Sequence, residues 1–419
     1  MYKNTLNYAI SQDKSDKLFY LRDMFYFPKD QNGNNKLYFT GNSLGLQPKS
    51  TQKYIQQELD SWAKYGVEGH FKGKNPWLPY HELLSQKMAN IVGAKPIEVV
   101  VMNTLTANLH LLMVSFYQPT KKKYKILIES DAFPSDRYAA ESQLKYHGFK
   151  PKEGLVEWKP RKGEYLLRIE DLEQILYEQG NQIALLLLGG VNYFTGQYLD
   201  LKTIASLAHK KLCAVGIDLA HGAGNINAQL HNSGVDFAAW CTYKYLNSGP
   251  GSLAGLFVHE KHSKNKLLPR FAGWWNHNKK TRFNMRQPFE LIDGAEGWQL
   301  SNPPILSMAA IRASLDLFDA VGMEALCKKS KKLTGYLEFL IKELNSSKIK
   351  IISPNKPAER GCQLSVELKN TNKDLYRQLL KQQIVVDWRE PNVMRCAPVP
   401  MYNSFQEIYK MVSVLKSLL

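Results

Sequence analysis

Residues 214–221 read Ala214-Val215-Gly216-Ile217-Asp218-Leu219-Ala220-His221, an apolar, strand-like run that ends on an acidic side chain. Similar runs recur on both sides of it, and amphipathic helical patterns separate them. This alternation indicates a mostly parallel sheet covered by helices. The sequence therefore predicts an α/β fold with a ligand pocket beyond the carboxyl ends of its strands.

The alternation between residues 98 and 260 defines a large predicted domain. Its helices carry apolar residues at spacings of three and four, as crossover helices should. The predicted strands are 125–129, 183–191, 214–218, 235–241 and 253–259, and the predicted helices are 136–147, 169–179 and 201–211.

A smaller α+β unit is predicted after Pro303-Pro304, from helices at 305–321 and 324–344 and strands at 363–368, 384–388 and 393–397. We expect an N-terminal segment, 1–60, that contributes to this small domain. The large domain is expected at 61–311 and the small domain at 312–419.

Length and composition indicate a globular, enzyme-sized protein. A chain of 419 residues is too long for a single ordinary hydrophobic core, and its 44% hydrophobic residues are enough to form the cores of two domains. Residues 1–20 lack the continuous apolar stretch of a secretory signal, and the longest apolar run, 183–191, is too short to cross a bilayer. The chain is therefore predicted to be cytoplasmic, with no membrane partner.

The cysteines and the net charge do not indicate a disulfide-bonded, zinc-binding or nucleic-acid-binding protein. Five scattered cysteines, 213, 241, 327, 362 and 396, fit neither a disulfide framework nor a zinc site, so no metal is predicted. The net charge of +17 is the balance of 55 basic and 38 acidic side chains, and short lysine runs such as 121–123 are typical of solvated faces. Nucleic-acid binding is the contrasting hypothesis, and it requires a salt-dependent affinity for polyanions. We expect no nucleic-acid partner.

Lys244 and Asp218 suggest a cofactor. Lys244 follows an apolar run, lies between two tyrosines and precedes a turn rich in Asn, Ser, Gly and Pro, so its amine should be poorly solvated and nucleophilic. Pyridoxal phosphate needs an amine to hold its aldehyde and an anion to keep its ring nitrogen protonated. Alone, Asp218 would be interpreted as a capping residue and Lys244 as a surface lysine, but the pair favours pyridoxal phosphate.

The segment Asn103-Thr104-Leu105-Thr106-Ala107-Asn108 offers backbone N–H groups and hydroxyls just before a helical pattern at 109–116. Such a helix start binds phosphate, although the same residues would cap any helix. Phe133 follows the strand 125–129 and could stack on an aromatic cofactor or belong to the core.

Several motifs together resemble those of kynureninase, a pyridoxal-phosphate hydrolase of the class V aminotransferase fold group. The resemblance runs nearly end to end and implies fold type I of the pyridoxal-phosphate-dependent transferases, with a seven-stranded, mostly parallel sheet in the large domain. The motifs are 38–48 (YFTGNSLGLQP), 67–70 (VEGH), 133–136 (FPSD), 218–221 (DLAH), 243–247 (YKYLN), 301–304 (SNPP) and 395–400 (RCAPVP).

The resemblance implies roles for individual residues. Lys244 binds the cofactor aldehyde, Asp218 pairs with the ring nitrogen, and Phe133 stacks on the ring. Tyr243 is the candidate proton shuttle, with a purely phosphate-binding role as its alternative. The remaining implied cofactor contacts are Leu105, Thr106, Pro134, Ser135, Asp136, His221, Tyr243, Trp274 and Asn302, and the implied substrate contacts are Arg395, Ser43, His70 and Asn302.

Arg395 also has a chemical argument of its own. A guanidinium binds the carboxylate of an amino-acid substrate with two parallel hydrogen bonds. The alternatives are a surface arginine or a domain-interface anchor. Gly189 departs from the family pattern, which often has Ser or Thr there, so a backbone amide or water would replace one hydroxyl contact at a cost of about 1 kcal/mol.

The implied reaction is hydrolysis of L-kynurenine or 3-hydroxy-L-kynurenine to the corresponding anthranilate and L-alanine. This reaction belongs to the kynurenine pathway, in tryptophan catabolism or in pyridine nucleotide (NAD) biosynthesis, and the family implies a homodimer. The alternatives are an aminotransferase or a cysteine desulfurase of the same fold group. A desulfurase needs a mobile cysteine near the pocket, for which only Cys396, beside Arg395, is a candidate.

Overall fold

The computed structural model describes residues 2–285, 288–369 and 373–419. The strands of this part of the chain are β1 (Phe25–Tyr26), β2 (Leu37–Tyr38), β3 (Gln47–Pro48), β4 (Val99–Met102), β5 (Lys125–Glu129), β6 (Leu155–Trp158), β7 (Ile183–Gly189), β8 (Ala214–Asp218), β9 (Phe237–Cys241), β10 (Ala254–Val258), β11 (Ile349–Ile351), β12 (Leu364–Leu368), β13 (Ile384–Val385), β14 (Asp387–Arg389) and β15 (Val393–Cys396).

The α-helices of the same residues are α1 (Leu6–Ser15), α2 (Thr51–Tyr65), α3 (Glu82–Val92), α4 (Leu105–Phe116), α5 (Pro134–Tyr146), α6 (Pro151–Gly154), α7 (Ile169–Gln179), α8 (Leu201–His209), α9 (Leu230–Ser233), α10 (Ile305–Val321), α11 (Met323–Glu343), α12 (Asp374–Lys381) and α13 (Phe405–Leu418). None of these helices has both the length and the apolar character needed to span a membrane.

Seven of the described strands form the large sheet, in the order β4-β10-β9-β8-β7-β5-β6. Only β10 runs against its neighbours, since it pairs antiparallel with both β4 and β9. The other described pairs in this sheet are parallel. The predicted α/β fold with a mostly parallel sheet is confirmed.

The centre of the large sheet is apolar on both faces, as expected of parallel strands covered by helices. Every residue of β9 is buried, and so are the first six residues of β7. Gly216 on β8 allows close packing here, because a Cβ at this position would lie 2.0 Å from the ring of Phe237 on β9. The position of β8 therefore depends on a glycine two residues before Asp218.

A second sheet, β11-β12-β15-β14, forms the smaller α+β unit, with β12 and β15 at its centre. Its core is built mainly from α11, these strands and α13, and it also includes Ala9 of α1 and Phe39. Residues from the start of the chain therefore pack into the C-terminal unit. The boundaries at 60/61 and 311/312 stay a prediction.

Polar groups lie where the central strands end. Asp218 ends β8 and Gly189 ends β7, and these two residues are register partners. Glu129 ends β5, and Lys244 follows β9 by three residues. The carboxyl edge of the sheet therefore brings together two acidic side chains, one lysine and the backbone of Gly189 from four consecutive strands.

Candidate active site

A cavity of about 370 Å³ lies at this carboxyl edge. Most of its wall comes from the ends of the large-sheet strands and from the starts of α4 and α5, while Asn42 and Ser43 come from the N-terminal segment and Arg389 from the smaller α+β unit. The lining residues are Asn42, Ser43, Thr104, Leu105, Thr106, Glu129, Phe133, Ser135, Asp136, Gly189, Val191, Tyr193, Asp218, Ala220, His221, Tyr243, Lys244 and Arg389.

Lys244 reaches into this cavity with its amine. Its Nζ lies 3.0 Å from Nε2 of His221 and 5.8 Å from the centre of the Phe133 ring. Burial, followed by the nearby Lys244, lowers the pKa of His221 well below its ordinary value. His221 is therefore neutral, and its Nε2 can accept a hydrogen bond from the lysine amine.

Asp218 and Asp136 face each other in the same cavity. The two carboxyls share a hydrogen bond, and Asp218 Oδ1 also accepts one from the backbone N–H of Ala220 at 2.7 Å. Burial is the largest cause that raises the pKa of both carboxyls, and for Asp136 the charge of Asp218 adds to it. The pair therefore holds a proton to a higher pH than free carboxyls do, unless a cationic ligand stabilises its charge.

The starts of α4 and α5, which line the same cavity, suit an anion. Helix α4 starts at Leu105, and the side chain of its N-cap Thr104 makes no capping hydrogen bond, so N–H groups of the first turn remain free to bind a ligand. Thr106 Oγ1 lies 2.9 Å from Ser135 Oγ, which belongs to the first turn of α5. Two helix N-termini and two hydroxyls thus converge where a phosphate is expected.

Phe133 also lines the cavity. Its ring is 42% exposed and meets the edge of Tyr193 at a centroid distance of 5.3 Å. The exposure decides between the two interpretations of this residue, because a core phenylalanine would be buried. Phe133 is free to stack on a planar ligand.

Arg395 does not line the cavity. It is fully buried, donates from Nη1 to the carbonyl of Tyr193 at 2.7 Å and pairs through Nη2 with Asp387. Its Nε has no hydrogen-bond partner within the described residues. Arg389, which also pairs with Asp387, reaches the cavity instead. The role of Arg395 in carboxylate binding stays a prediction.

Three other predicted contacts lie away from the cavity wall. Trp274 is 42% exposed and donates from Nε1 to the carbonyl of Arg282 at 3.0 Å. His70 contacts the carbonyl of Val67 at 3.0 Å through Nδ1, and Asn302 is exposed. Within one described chain these residues do not join Lys244, and their assignments stay predictions.

The other predicted residues lie in or beside the cavity. Pro134, which begins α5, is exposed and does not line the cavity. Its two neighbours in sequence, Phe133 and Ser135, do. The other predicted residues that line the cavity are Ser43, Leu105, Thr106, Asp136, Asp218, His221, Tyr243 and Lys244.

Several lining residues were missed from the sequence. Glu129 is the clearest case, since it ends an apolar strand just as Asp218 does, and that shared pattern could have identified it. Tyr193 and Arg389 lie in a loop and at a strand end without a motif that would mark them, whereas Asn42 lies in the 38–48 motif, directly before the predicted contact Ser43. Their positions depend on how the small domain packs against the large sheet.

The cavity suits pyridoxal phosphate by its chemistry. Four lining residues hold a buried polar atom without a hydrogen-bond partner among the described residues, namely Asn42 Oδ1, Asp136 Oδ1, His221 Nδ1 and Arg389 Nε. Buried polar groups are normally paired, so these atoms indicate that a polar ligand belongs here. An amine, an acidic pair and a phosphate-sized anion site match the three polar parts of this cofactor.

Comparisons with known proteins agree with this interpretation. A family model described as the kynureninase C-terminal domain matches residues 326–415. A kynureninase of Myxococcus xanthus is 52% identical over 416 residues, covering 99% of this chain and 98% of that protein. A kynureninase of Homo sapiens is 47% identical over 431 residues, covering 98% and 92%.

Solved structures show the same fold at low sequence identity. A cysteine desulfurase of Thermococcus onnurineus superposes with a TM-score of 0.73 at 17% identity, covering 91% of this chain and 94% of that one. The desulfurase CsdA of Escherichia coli gives 0.75 at 15% identity, covering 96% and 98%. A C-DES variant with glycine linked to its PLP cofactor gives 0.76 at 17%, covering 94% and 98%. The fold is that of the class V pyridoxal-phosphate enzymes.

The buried carboxyl pair leads to a pH-dependent stability. Because its pKa is raised, the folded chain keeps a proton that the unfolded chain has lost, so the free energy of unfolding falls as the pH rises above about 4. We expect the melting temperature of the cofactor-free protein to fall less between about pH 5 and about pH 8 in Asp136→Asn than in the wild type. Thermal unfolding followed by circular dichroism measures this difference. Parallel pH profiles for the two proteins would contradict the assignment.

Proposed function

The chain belongs to the kynureninase family, and we propose on this basis that it hydrolyses the Cβ–Cγ bond of L-kynurenine, or of its 3-hydroxy form, to the corresponding anthranilate and L-alanine. The protein is then a pyridoxal-phosphate-dependent hydrolase of carbon–carbon bonds. Identity near 50% over nearly the whole chain supports this activity. The observation that carries the proposal is that Lys244 and Asp218 line one cavity.

Lys244 has two proposed roles. When bound, pyridoxal phosphate supplies an aldehyde that links covalently to amines and a ring that accepts an electron pair from the substrate. Lys244 is the only lysine among the described lining residues, so its amine would hold the cofactor before the substrate arrives. Once the substrate amine has replaced it, Lys244 can remove the Cα proton as a general base.

Asp218 and His221 would set the charge at this end of the cavity. The Asp218 carboxylate, buried at the end of β8, can hold a proton on the cofactor's ring nitrogen. Neutral His221 adds no second positive charge beside Lys244.

Tyr243 is the proposed proton donor. Burial is the largest cause that raises the pKa of its phenol above the ordinary value, and the nearby Cys241 adds to this. The hydroxyl therefore stays protonated at neutral pH, and it borders the cavity beside Lys244. After water has added to the γ-carbonyl and the Cβ–Cγ bond has broken, Tyr243 can give a proton to the remaining three-carbon fragment.

The rival activities find less support in the cavity. All five cysteines lie in the described part of the chain, and none of them lines the cavity. Cys396 is fully buried, and burial raises its thiol pKa well above the ordinary value, which disfavours the reactive thiolate. A desulfurase mechanism therefore lacks its nucleophile. An aminotransferase would release no aromatic amine, so the same assay distinguishes it.

A homodimer would explain the predicted contacts that lie outside the cavity. Phe71, Trp274 and Phe283 form an exposed aromatic cluster beside His70, with centroid distances of 6.2 Å from Phe71 to Phe283 and 5.4 Å from Trp274 to Phe283. Exposed clusters of this kind favour protein–protein contacts. We propose that a second copy covers this cluster and that Trp274 and Asn302 of one protomer complete the cavity of the other.

The cellular location proposed is the cytoplasm. All five cysteines are free, which suits a reducing compartment. The proposed metabolic role follows from the reaction, which serves tryptophan breakdown or the synthesis of pyridine nucleotides.

Lys244→Ala should lower the release of anthranilate by about a thousandfold or more, because the described lining residues include no second lysine that could hold the cofactor and move the proton. Lys202→Ala is the matched control, since Lys202 is an exposed lysine on α8. Fluorescence of anthranilate formed from kynurenine measures the rate. Retained turnover in the Lys244 variant would contradict the proposed role.

Arg395→Ala should raise the KM for kynurenine at least about tenfold and change cofactor affinity much less, if Arg395 binds the substrate carboxylate. Arg389→Ala is the comparison, since Arg389 reaches the cavity directly. Steady-state kinetics and cofactor titration measure the two affinities. A larger effect from Arg389→Ala would assign the carboxylate to Arg389 and contradict the prediction for Arg395.

Shared sites can be tested by mixing two variants. Lys244→Ala inactivates the cavity of its own protomer, whereas Trp274→Ala should impair the cavity of its partner. When the two inactive dimers exchange subunits, half of the dimers are mixed and each has one intact site, so about a quarter of wild-type activity should return. Light scattering verifies the dimer. A mixture that stays as inactive as its components would argue against sites completed by the partner.

A further inference from the structure

Glu129 is a buried carboxylate that the mechanism above does not use. It ends β5, is 3% exposed and lines the cavity. Its Oε2 accepts a hydrogen bond from the backbone N–H of Gly189 at 2.6 Å, and its Oε1 accepts one from Nδ2 of Asn192 at 3.2 Å. Both carboxylate oxygens of Glu129 therefore accept hydrogen bonds from the end of β7 and the loop that follows it.

Among the described residues, no lysine or arginine forms an ion pair with Glu129. Burial raises its pKa to about 7, the two hydrogen bonds oppose this rise, and Asp218 and Asp131 add to it. Burying an ionised carboxylate without a cationic partner lowers the free energy of unfolding. A neutral side chain at this position would avoid that loss of stability. The cost indicates that the two hydrogen bonds serve a purpose beyond packing.

Gly189 gives this carboxylate its space. A Cβ at position 189 would lie 3.2 Å from Oε2 and 3.3 Å from Oε1 of Glu129, which is tighter than ordinary van der Waals contact. The serine or threonine that is often expected at this position would crowd the carboxylate. The glycine and Glu129 therefore form a matched pair in this chain.

Asn192 connects Glu129 to a compact loop, residues 190–197. Asn192 Oδ1 accepts hydrogen bonds from the backbone N–H groups of Phe194 at 3.0 Å and Thr195 at 2.9 Å, and from the Thr195 hydroxyl. The side-chain oxygen of Asn192 thus organises the loop from inside. Its side-chain nitrogen fixes the whole loop to Glu129.

The 190–197 loop carries the contact to Arg395. The carbonyl of Tyr193 accepts hydrogen bonds from Arg395 Nη1 at 2.7 Å and from Gln363 Nε2 at 3.0 Å. The next two carbonyls of the loop accept hydrogen bonds from Ser365 and Ser353. The loop is therefore the junction at which the small domain holds its buried arginine against the cavity.

We propose that Glu129 is a positioning residue for the substrate carboxylate, because it fixes the 190–197 loop whose Tyr193 carbonyl orients Arg395. This inference rests on the proposed function and deepens it. Glu129 acts through Asn192 and Tyr193 and does not touch the carboxylate itself. Its loss should therefore weaken the binding of ligands that carry a carboxylate and spare those that lack one.

The test compares two competitive inhibitors of the holoenzyme. One is a kynurenine analogue that cannot be cleaved, and the other is the same compound without its α-carboxylate. Glu129→Ala should raise the Ki of the carboxylate-bearing inhibitor about tenfold and leave that of the amine within about twofold. Glu129→Gln, which keeps one acceptor oxygen and the shape of the side chain, should have the same selectivity with a smaller effect.

Two further variants separate this role from others. Asn192→Ala should reproduce the selective effect, and the double variant with Glu129→Ala should add little to it, because both residues act through one connection. Asp131→Asn removes a nearby exposed acidic charge without touching the loop contact, so it should leave both Ki values unchanged.

Equal increases for both inhibitors would overturn the inference, and so would an Asp131→Asn variant that matches Glu129→Ala. If Glu129→Ala does not fold, Glu129→Gln and Asn192→Ala carry the same comparison. A wild-type protein that releases no anthranilate contradicts the proposed function. An active wild type with unselective Glu129 variants contradicts only the inference on Glu129.

Discussion

Acidic charge concentrated at the carboxyl edge of the large sheet is the constraint from which the site follows. Glu129, Asp136 and Asp218 border one cavity, and Lys244 and Arg389 are the described Lys and Arg side chains that face them there. Buried carboxyls resist ionisation unless cations or hydrogen bonds stabilise them. A ligand with a cationic ring nitrogen would relieve this constraint, and the starts of α4 and α5 in the same cavity suit its anionic phosphate. The apolar strands are the rigid frame that holds these groups in place.

The same edge connects the chemistry of the large domain to the small domain. The 190–197 loop follows β7 and offers three successive carbonyls to side chains of the small domain. Arg395 is fully buried behind Tyr193, so its position depends on both domains. A substrate-binding role for this arginine therefore requires that the loop stay fixed, and Glu129 supplies a fixed point on the sheet.

Much of the fold could be predicted because its strands are short apolar runs with clear ends. The predicted strands 125–129 and 214–218 and the predicted helices 169–179 and 305–321 coincide with β5, β8, α7 and α10. The predicted strand 384–388 was wrong, because residues 384–385 pair with β2 near the start of the chain and 387–389 join β15. Strands β4, β6 and β11 were not predicted, although β15, which also has only four residues, was.

Some residues of the site could likewise be predicted from the sequence, and others could not. Asp218 and Lys244 could be found because each follows a buried strand and bears a side chain that the cofactor's chemistry requires. Glu129 carries the same signal as Asp218, but a second acid has no obvious partner in that chemistry. The buried position of Arg395 depends on domain packing that no local pattern encodes. Trp274 and His70 lie on the surface of one chain, so their proposed roles depend on a second chain.

A crystal structure of the protein with pyridoxal phosphate would show whether Lys244 and Asp218 hold the cofactor. We expect the cofactor's aldehyde carbon to be bonded to Nζ of Lys244, and its ring nitrogen to lie about 2.7–3.2 Å from a carboxylate oxygen of Asp218. A cofactor attached to another lysine, or a ring nitrogen that faces away from Asp218, would contradict the account.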